Sequence, residues 1–143
     1  MTKLVIDTDL YIDLIRTGQF LPVINVLYEK ETPGIHFSSI VAQELLAGAR
    51  SSKTRTYVRW LVEPFERKGR IITPTHRDWK TAGDILAVLL MRHPSIKKKL
   101  RTMVNDCLLA MSARSKGATV YTRNREDFGL ILSVHNFDLV VVA

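Results

Sequence analysis

The sequence predicts an α/β domain whose five-stranded, mainly parallel sheet is covered by helices on both faces. Two observations carry this. Short β-branched runs alternate with longer stretches of helical apolar spacing, and Asp7, Ser38 and Thr122 fall at the carboxyl ends of apolar runs. Strands joined through helices run parallel, because each crossover returns the chain to the same end of the sheet. Ligands of such sheets sit beyond the strands' carboxyl ends, near the point where strand order reverses. A length of 143 residues supplies one hydrophobic core, so residues 1–143 are read as a single domain.

The first strand is KLVID (3–7), followed by helical patches at 10–16 and 20–30. IHFSS (35–39) is the second strand. SSIVAQELLAGA then forms a helix over 39–49, opened by a serine N-cap and closing near Gly48. A helix over 52–66 leads to the strand RIITP (70–74) and to the helix HRDWKTAGDILAVLLMR (76–92), which Pro94 stops. KKKLRTMVNDCLLAMSARSKG predicts a helix over 97–116 ending at Gly117, and ATVYT (118–122) the next strand. REDFGLIL (125–132) is helical and DLVVV (138–142) closes the sheet.

Composition narrows the function classes. The single cysteine, Cys107, has no internal disulfide partner and lies on the apolar stripe of its helix, a core position. Lys3, Asp7, Asp9 and Asp13 interrupt any apolar leader, so a cytoplasmic protein is expected. No apolar run reaches the ~20 residues of a membrane-spanning helix. GxGxxG and GxxxxGK[ST] are both absent, and His36, His76, His93 and His135 lack metal-ligand spacing. The net charge is +7, with basic clusters in SSKTRTYVR, ERKGR, KKKLR and RNR. That excess fits a polyanionic partner, an acidic protein, or no more than a solvated basic surface.

Against this basic background four carboxylates stand out. Asp7 ends an apolar strand, where a charge is costly unless a cation or several donors meet it. Glu44 is surrounded on its helix by Ile40, Val41, Ala47 and Gly48. Asp106 lies off the polar stripe formed by Arg101, Asn105, Ser112 and Lys116. In VYTRNREDF, Thr122 and Asn124 offer neutral oxygens and amides, and Asp127 another carboxylate near a helix start. Structural roles are open for each: a buried arginine partner for Glu44, a cap or bridge for Asp106, a favourable helix-dipole position for Asp127. Carboxylates converging at the strand ends would repel one another unless Mg²⁺ or Mn²⁺ neutralised them, and such hard ions need only oxygen ligands.

The order VIDTD, SSIVAQELLAGA, NDCLLAMSA, VYTRNREDFGLI resembles that of PIN-domain ribonucleases, in particular the VapC-type toxins of toxin–antitoxin pairs. The resemblance spans essentially the whole chain and implies a three-layer α/β/α PIN-like domain. It further implies Mg²⁺-dependent (Mn²⁺ being the other option) endonucleolytic cleavage of RNA by activated water. Asp7, Glu44 and Asp106 match the acidic ligands, with Thr8, Ser38 and Thr122 in the small hydroxyl positions. The fourth acidic position falls on Asn124 or Asp127, and Asp127 is the better candidate for charge. Asp9 stands where Asn or Ser is usual; it either adds a ligand through water or, the favoured reading, caps the following helix, on which Asp13 is an outward charge. Arg123 and Arg125 are candidate RNA contacts on the rim. The resemblance implies a homodimer and a cognate antitoxin whose C-terminal segment blocks the pockets. Two other readings stay open: a catalytically weak or inactive PIN-fold module that binds RNA or protein, and a DNA-directed nuclease on the same scaffold.

Overall fold

A computed structural model describes residues 2–17, 22 and 34–143. The helical patch expected at 20–30 lies, but for residue 22, outside them. Strands β1 (Lys3–Ile6), β2 (Ile35–Ser38), β3 (Ile71–Ile72), β4 (Ala118–Thr122) and β5 (Leu139–Val141) form one sheet in the order β3-β2-β1-β4-β5. Every pairing in it is parallel. Strand order reverses at β1, which has β2 on one side and β4 on the other. Leu4, Val5 and Ile6 are all buried. Because successive side chains point to opposite faces, both faces of the sheet centre are covered.

The helices are α1 (Thr8–Arg16), α2 (Ser39–Gly48), α3 (Ser52–Arg67), α4 (His76–Arg92), α5 (Leu100–Ser115) and α6 (Arg125–Val134). α5 packs against α4, α6 and β4, while α2 packs against α1, α3 and α5. Tyr11, Phe37 and Phe65 stack in a row, at centroid distances of 5.1 and 5.5 Å, and tie α1, β2 and α3 together. Among the described residues no helix is long and apolar enough to cross a membrane.

Three expectations are corrected. The segment 97–116 is not one α-helix: Pro94–Lys99 is a 3₁₀ turn, and the α-helix starts at Leu100. A proline fits the first position of such a turn, and Lys99, at φ −124° and ψ 34°, breaks the α geometry between the two pieces. The third strand shrinks to two residues paired with Phe37 and Ser38 at the sheet edge. Ser112 does not belong to a polar stripe. Every residue from Asp106 to Ala113 is buried, and the Ser112 hydroxyl donates to the Leu108 carbonyl at 2.6 Å. α5 is thus enclosed on all sides over these two turns.

One more buried acid, Asp78, is structural. It forms a capping box with Thr75 at the start of α4 and accepts a hydrogen bond from the Ser115 hydroxyl at the end of α5. Gly117, at φ +68°, ends α5 in the left-handed conformation that glycine adopts without penalty. Gly34 is needed for a different reason. A Cβ there would stand 2.1 Å from the Thr2 carbonyl oxygen, a backbone atom with no rotamer to escape into. Gly34→Ala is therefore expected to push the starts of β1 and β2 apart and cost about 1–3 kcal/mol, read as a lower midpoint in urea at unchanged slope.

Candidate active site

The site is built where strand order reverses. β1 ends at Ile6, and the Asp7 amide still donates to the Tyr121 carbonyl at 2.8 Å, so Asp7 is anchored to β4 before its chain turns into α1. Its carboxylate accepts the Thr8 amide at 2.7 Å, making Asp7 the N-cap of α1, and the Thr122 hydroxyl at 2.7 Å. Both donors are neutral. Burial, with the Asp9 charge next, pushes the Asp7 carboxyl up to about 7 despite them.

Thr8 turns its hydroxyl the other way and donates to Glu44 at 2.7 Å, which ties α1 to α2. Ser38 accepts the Ile40 amide at 3.1 Å as the N-cap of α2, so it fixes the helix that carries Glu44. Asp106 projects from enclosed α5. One of its oxygens is buried with no hydrogen-bond partner among the described residues. Burial, then the charges of Asp7, Asp127, Glu44 and Asp9, pushes its carboxyl up to about 9. Cys107 next to it is core, as expected, its thiol raised to about 12 by burial and then by Asp106.

Asp127 and Asn124 are brought together rather than offered as alternatives. The Asn124 side chain caps α6 by accepting the Asp127 amide at 3.1 Å, and its own amide donates to the Asp127 carboxylate at 3.0 Å. The Asn124 backbone N–H in turn donates to the Thr122 hydroxyl at 2.9 Å, which links this turn to Asp7. Asp127 is already met by a cation: Lys99 donates to it at 2.6 Å. That hydrogen bond, together with the nearby acidic charges, raises the Lys99 pKa and keeps it protonated. Lys99 was not among the expected site residues. No local spacing announces it, because Lys99 lies in the 3₁₀ turn before α5 and meets Asp127, 28 positions further along the chain.

The readings of Asp9 and Asp13 are corrected. Asp9 is not the cap, because the extended Asp7 backbone and side chain fill that position; Asp9 falls in the first turn of α1. Burial raises its pKa, opposed by the charge of Arg123. Asp13 is not an outward charge: Arg123, from the turn after β4, lies against it at 2.9 Å and within 3.9 Å of Asp9. Arg123 is thereby committed to the acids of α1, whereas Arg125 at the start of α6 is exposed. Of the histidines, His76 and His93 are exposed and His36 bonds the Gly34 carbonyl at 2.9 Å.

Asp7, Thr8, Glu44, Asp106, Thr122, Asn124 and Asp127 thus gather around one end of the sheet. Among the described residues no three acidic, histidine or cysteine side chains stand close enough to enclose a metal ion. The donor chemistry still fits a hard divalent ion that keeps most of its water, which needs only one or two carboxylates. The unpartnered Asp106 oxygen and the crowding of like charges on Asp7 and Asp106 are what such an ion relieves.

No protein-family model and no curated protein matches the chain. Solved structures do. A chain of the DNA-bound VapBC from Salmonella typhimurium is 23% identical with a TM-score of 0.68, over 99% of this chain and 98% of that one. A chain of VapBC2 from Rickettsia felis, bound to a DNA fragment from its promoter, is 21% identical with a TM-score of 0.66, over 99% and 100%. A chain of FitAB bound to the IR36 DNA fragment is 17% identical with a TM-score of 0.71, over 96% and 94%. Full-length coverage at this identity is a likeness of fold, and it agrees with the strand order and parallel pairings seen here: the chain has the PIN-like α/β fold.

Proposed function

We propose that this protein is a VapC-type toxin, a Mg²⁺-dependent endoribonuclease held in check by a cognate antitoxin. The observation that carries the reading is the buried, unpartnered carboxylate oxygen of Asp106 facing the acidic end of the sheet, on a fold shared along the whole chain with VapBC and FitAB structures. Asp7 and Asp106 would hold the ion, with Glu44 reaching it directly or through water. Mg²⁺ is the expected ion and Mn²⁺ the substitute. When bound, it supplies activation of the attacking water and neutralises charge on the scissile phosphate.

The chain's own groups do the rest. Thr122 and the Thr8 amide hold the two oxygens of Asp7, so its carboxylate cannot rotate away from the strand end. Thr8 orients Glu44 in the same way. Lys99, fixed by Asp127 and Asn124, puts a positive charge beside Asp106, the natural place for a developing negative charge. Arg125 and the exposed Lys97 and Lys98 offer contacts to the phosphate backbone, and Arg123 sets the potential behind them. Water attacks phosphorus, one P–O bond breaks, and no covalent enzyme intermediate forms.

The antitoxin enters from the neighbours, which are VapBC and FitAB complexes. We extend this to a homodimer acting in the cytoplasm and blocked by the antitoxin's C-terminal segment. The test is gel analysis of tRNA, single-stranded DNA and duplex DNA incubated with the protein in Mg²⁺ and in EDTA. RNA products in Mg²⁺ alone are expected. Cleavage of DNA in preference to RNA would replace the substrate class, and salt-sensitive RNA binding without any product would make the protein a binding module.

A further inference from the structure

The crevice between α2 and α5 shares only Glu44 with the chemistry described so far. Its floor is a helix pair in contact, and its walls are the matching faces Ile40, Gln43, Glu44, Ala47 on α2 and Arg101, Thr102, Asn105, Leu108 on α5. A cavity of about 490 Å³ lies at the Glu44 and Arg101 end. A second, of about 330 Å³, is lined by Ser39, Thr73, Pro74 and Trp79. Gln43 and Asn105 line both, so the two form one groove. It starts at an acidic residue of the candidate site and ends at a tryptophan that is 55% exposed.

Its chemistry changes along its length. Near Glu44 the walls carry a guanidinium and two primary amides, and Arg101, Gln43 and Asn105 have no hydrogen-bond or ionic partner among the described residues. The exposed Lys97 and Lys98 stand one turn before Arg101 at the same end of α5. At the far end Ile40, Pro74, Leu108 and Trp79 make the lining mainly apolar, and the Ser39 and Thr73 hydroxyls there are bonded to each other. Guanidinium for phosphate, amides for base edges and an exposed indole for a base face are the parts of a single-stranded nucleic-acid track. A paired duplex has no free base face to lay on Trp79, so the complementary ligand is an unpaired strand.

We propose that the α2–α5 groove is the track for the nucleotides on one side of the scissile bond of an unpaired RNA segment, Arg101 holding a phosphate, Gln43 and Asn105 a base edge, and Trp79 stacking a base. This rests on the ribonuclease reading for its direction, since the track begins at Glu44. The groove would then select unpaired regions of the substrate.

Trp60 and Trp79 are the two tryptophans of the chain. Trp60→Phe therefore leaves Trp79 as the sole indole reporter. In EDTA, which holds cleavage off, an eight-nucleotide oligouridylate is expected to quench Trp79 fluorescence saturably, and Gln43→Ala or Arg101→Ala to raise the Kd about tenfold. In Mg²⁺, Trp79→Ala is expected to raise KM for the same oligomer roughly 5- to 100-fold, the range of one lost stacking contact, with kcat within about twofold of the parent. All three side chains are exposed, and thermal melts check that the variants fold. No quenching at saturation, or an unchanged KM in Trp79→Ala, overturns the track. Quenching weakened by the two variants, in a protein that cleaves nothing, upholds the track and overturns the ribonuclease reading.

Discussion

Asp106→Asn is expected to abolish RNA cleavage and, in the same protein, to raise the melting temperature in EDTA. The two effects share one cause. Asp106 sits on the enclosed part of α5 with one oxygen unpartnered, and burial and four neighbouring acids push its carboxyl up to about 9. The unfolded chain holds the same group near 3.8. At pH 8 folding must therefore either take up a proton or bury a charge, and an amide of the same shape avoids both. The gain is about 1–3 kcal/mol, or roughly 3–10 °C for a domain of this size. Cleavage should fall by about 10²–10³-fold or more, since several kcal/mol of transition-state charge stabilisation depend on the ligand. A variant that melts below the parent in EDTA would show that the folded chain already compensates the Asp106 charge. One that cleaves at the parental rate would remove Asp106 from the site.

Mg²⁺ should stabilise the protein far more at pH 8 than at pH 5. Asp7 and Asp106 both have folded-state pKa values raised above 3.8, to about 7 and about 9. The folded state then binds more protons than the unfolded one across that window. Stability without metal is thus greatest at the acid end of the window and is lost as pH rises from about 4 toward 9. A divalent ion competes with those protons, so its binding strengthens as they leave. At ten times its Kd the ion contributes about 1.4 kcal/mol, or about 3–5 °C, at pH 8 and little at pH 5. Differential scanning fluorimetry in EDTA and in 10 mM Mg²⁺ at the two pH values measures this. Asp7→Asn is the control of choice over Ala, because Asn caps a helix as well as Asp does and α1 keeps its start. An equal Mg²⁺ shift at both pH values, or one that survives Asp7→Asn, would take the ion away from these carboxylates.

Much of this was legible in the sequence. The α/β class and the strands followed from apolar runs at the right spacing, and Asp7, Ser38 and Thr122 marked the strand ends where they indeed lie. Asp106 stood out as an acid off the polar stripe. What failed had a common origin: helical spacing sorts residues into inside and outside, and α5 is enclosed all round, so Ser112 had no outside to belong to. Long-range partners were beyond reach for the same kind of reason. Nothing near Asp13 in sequence announces Arg123, and nothing near Asp127 announces Lys99, since each pair is made by elements that meet only in the fold. The cap of α1 was misassigned by two residues because a strand-end acid and a helix-start acid can be one and the same. Asp7 is both.

The bond from Thr122 to Asp7 spans 115 positions of chain. β1 pairs with β2 and with β4, and the second pairing has to wait until residues 118–122 exist. Loop closure over that length is slow relative to local folding. A growing polypeptide on the ribosome accordingly carries Asp7 without its Thr122 partner until residues 118–122 have been made. The acidic end of the sheet closes only once β1 and β4, 115 positions apart along the chain, have met.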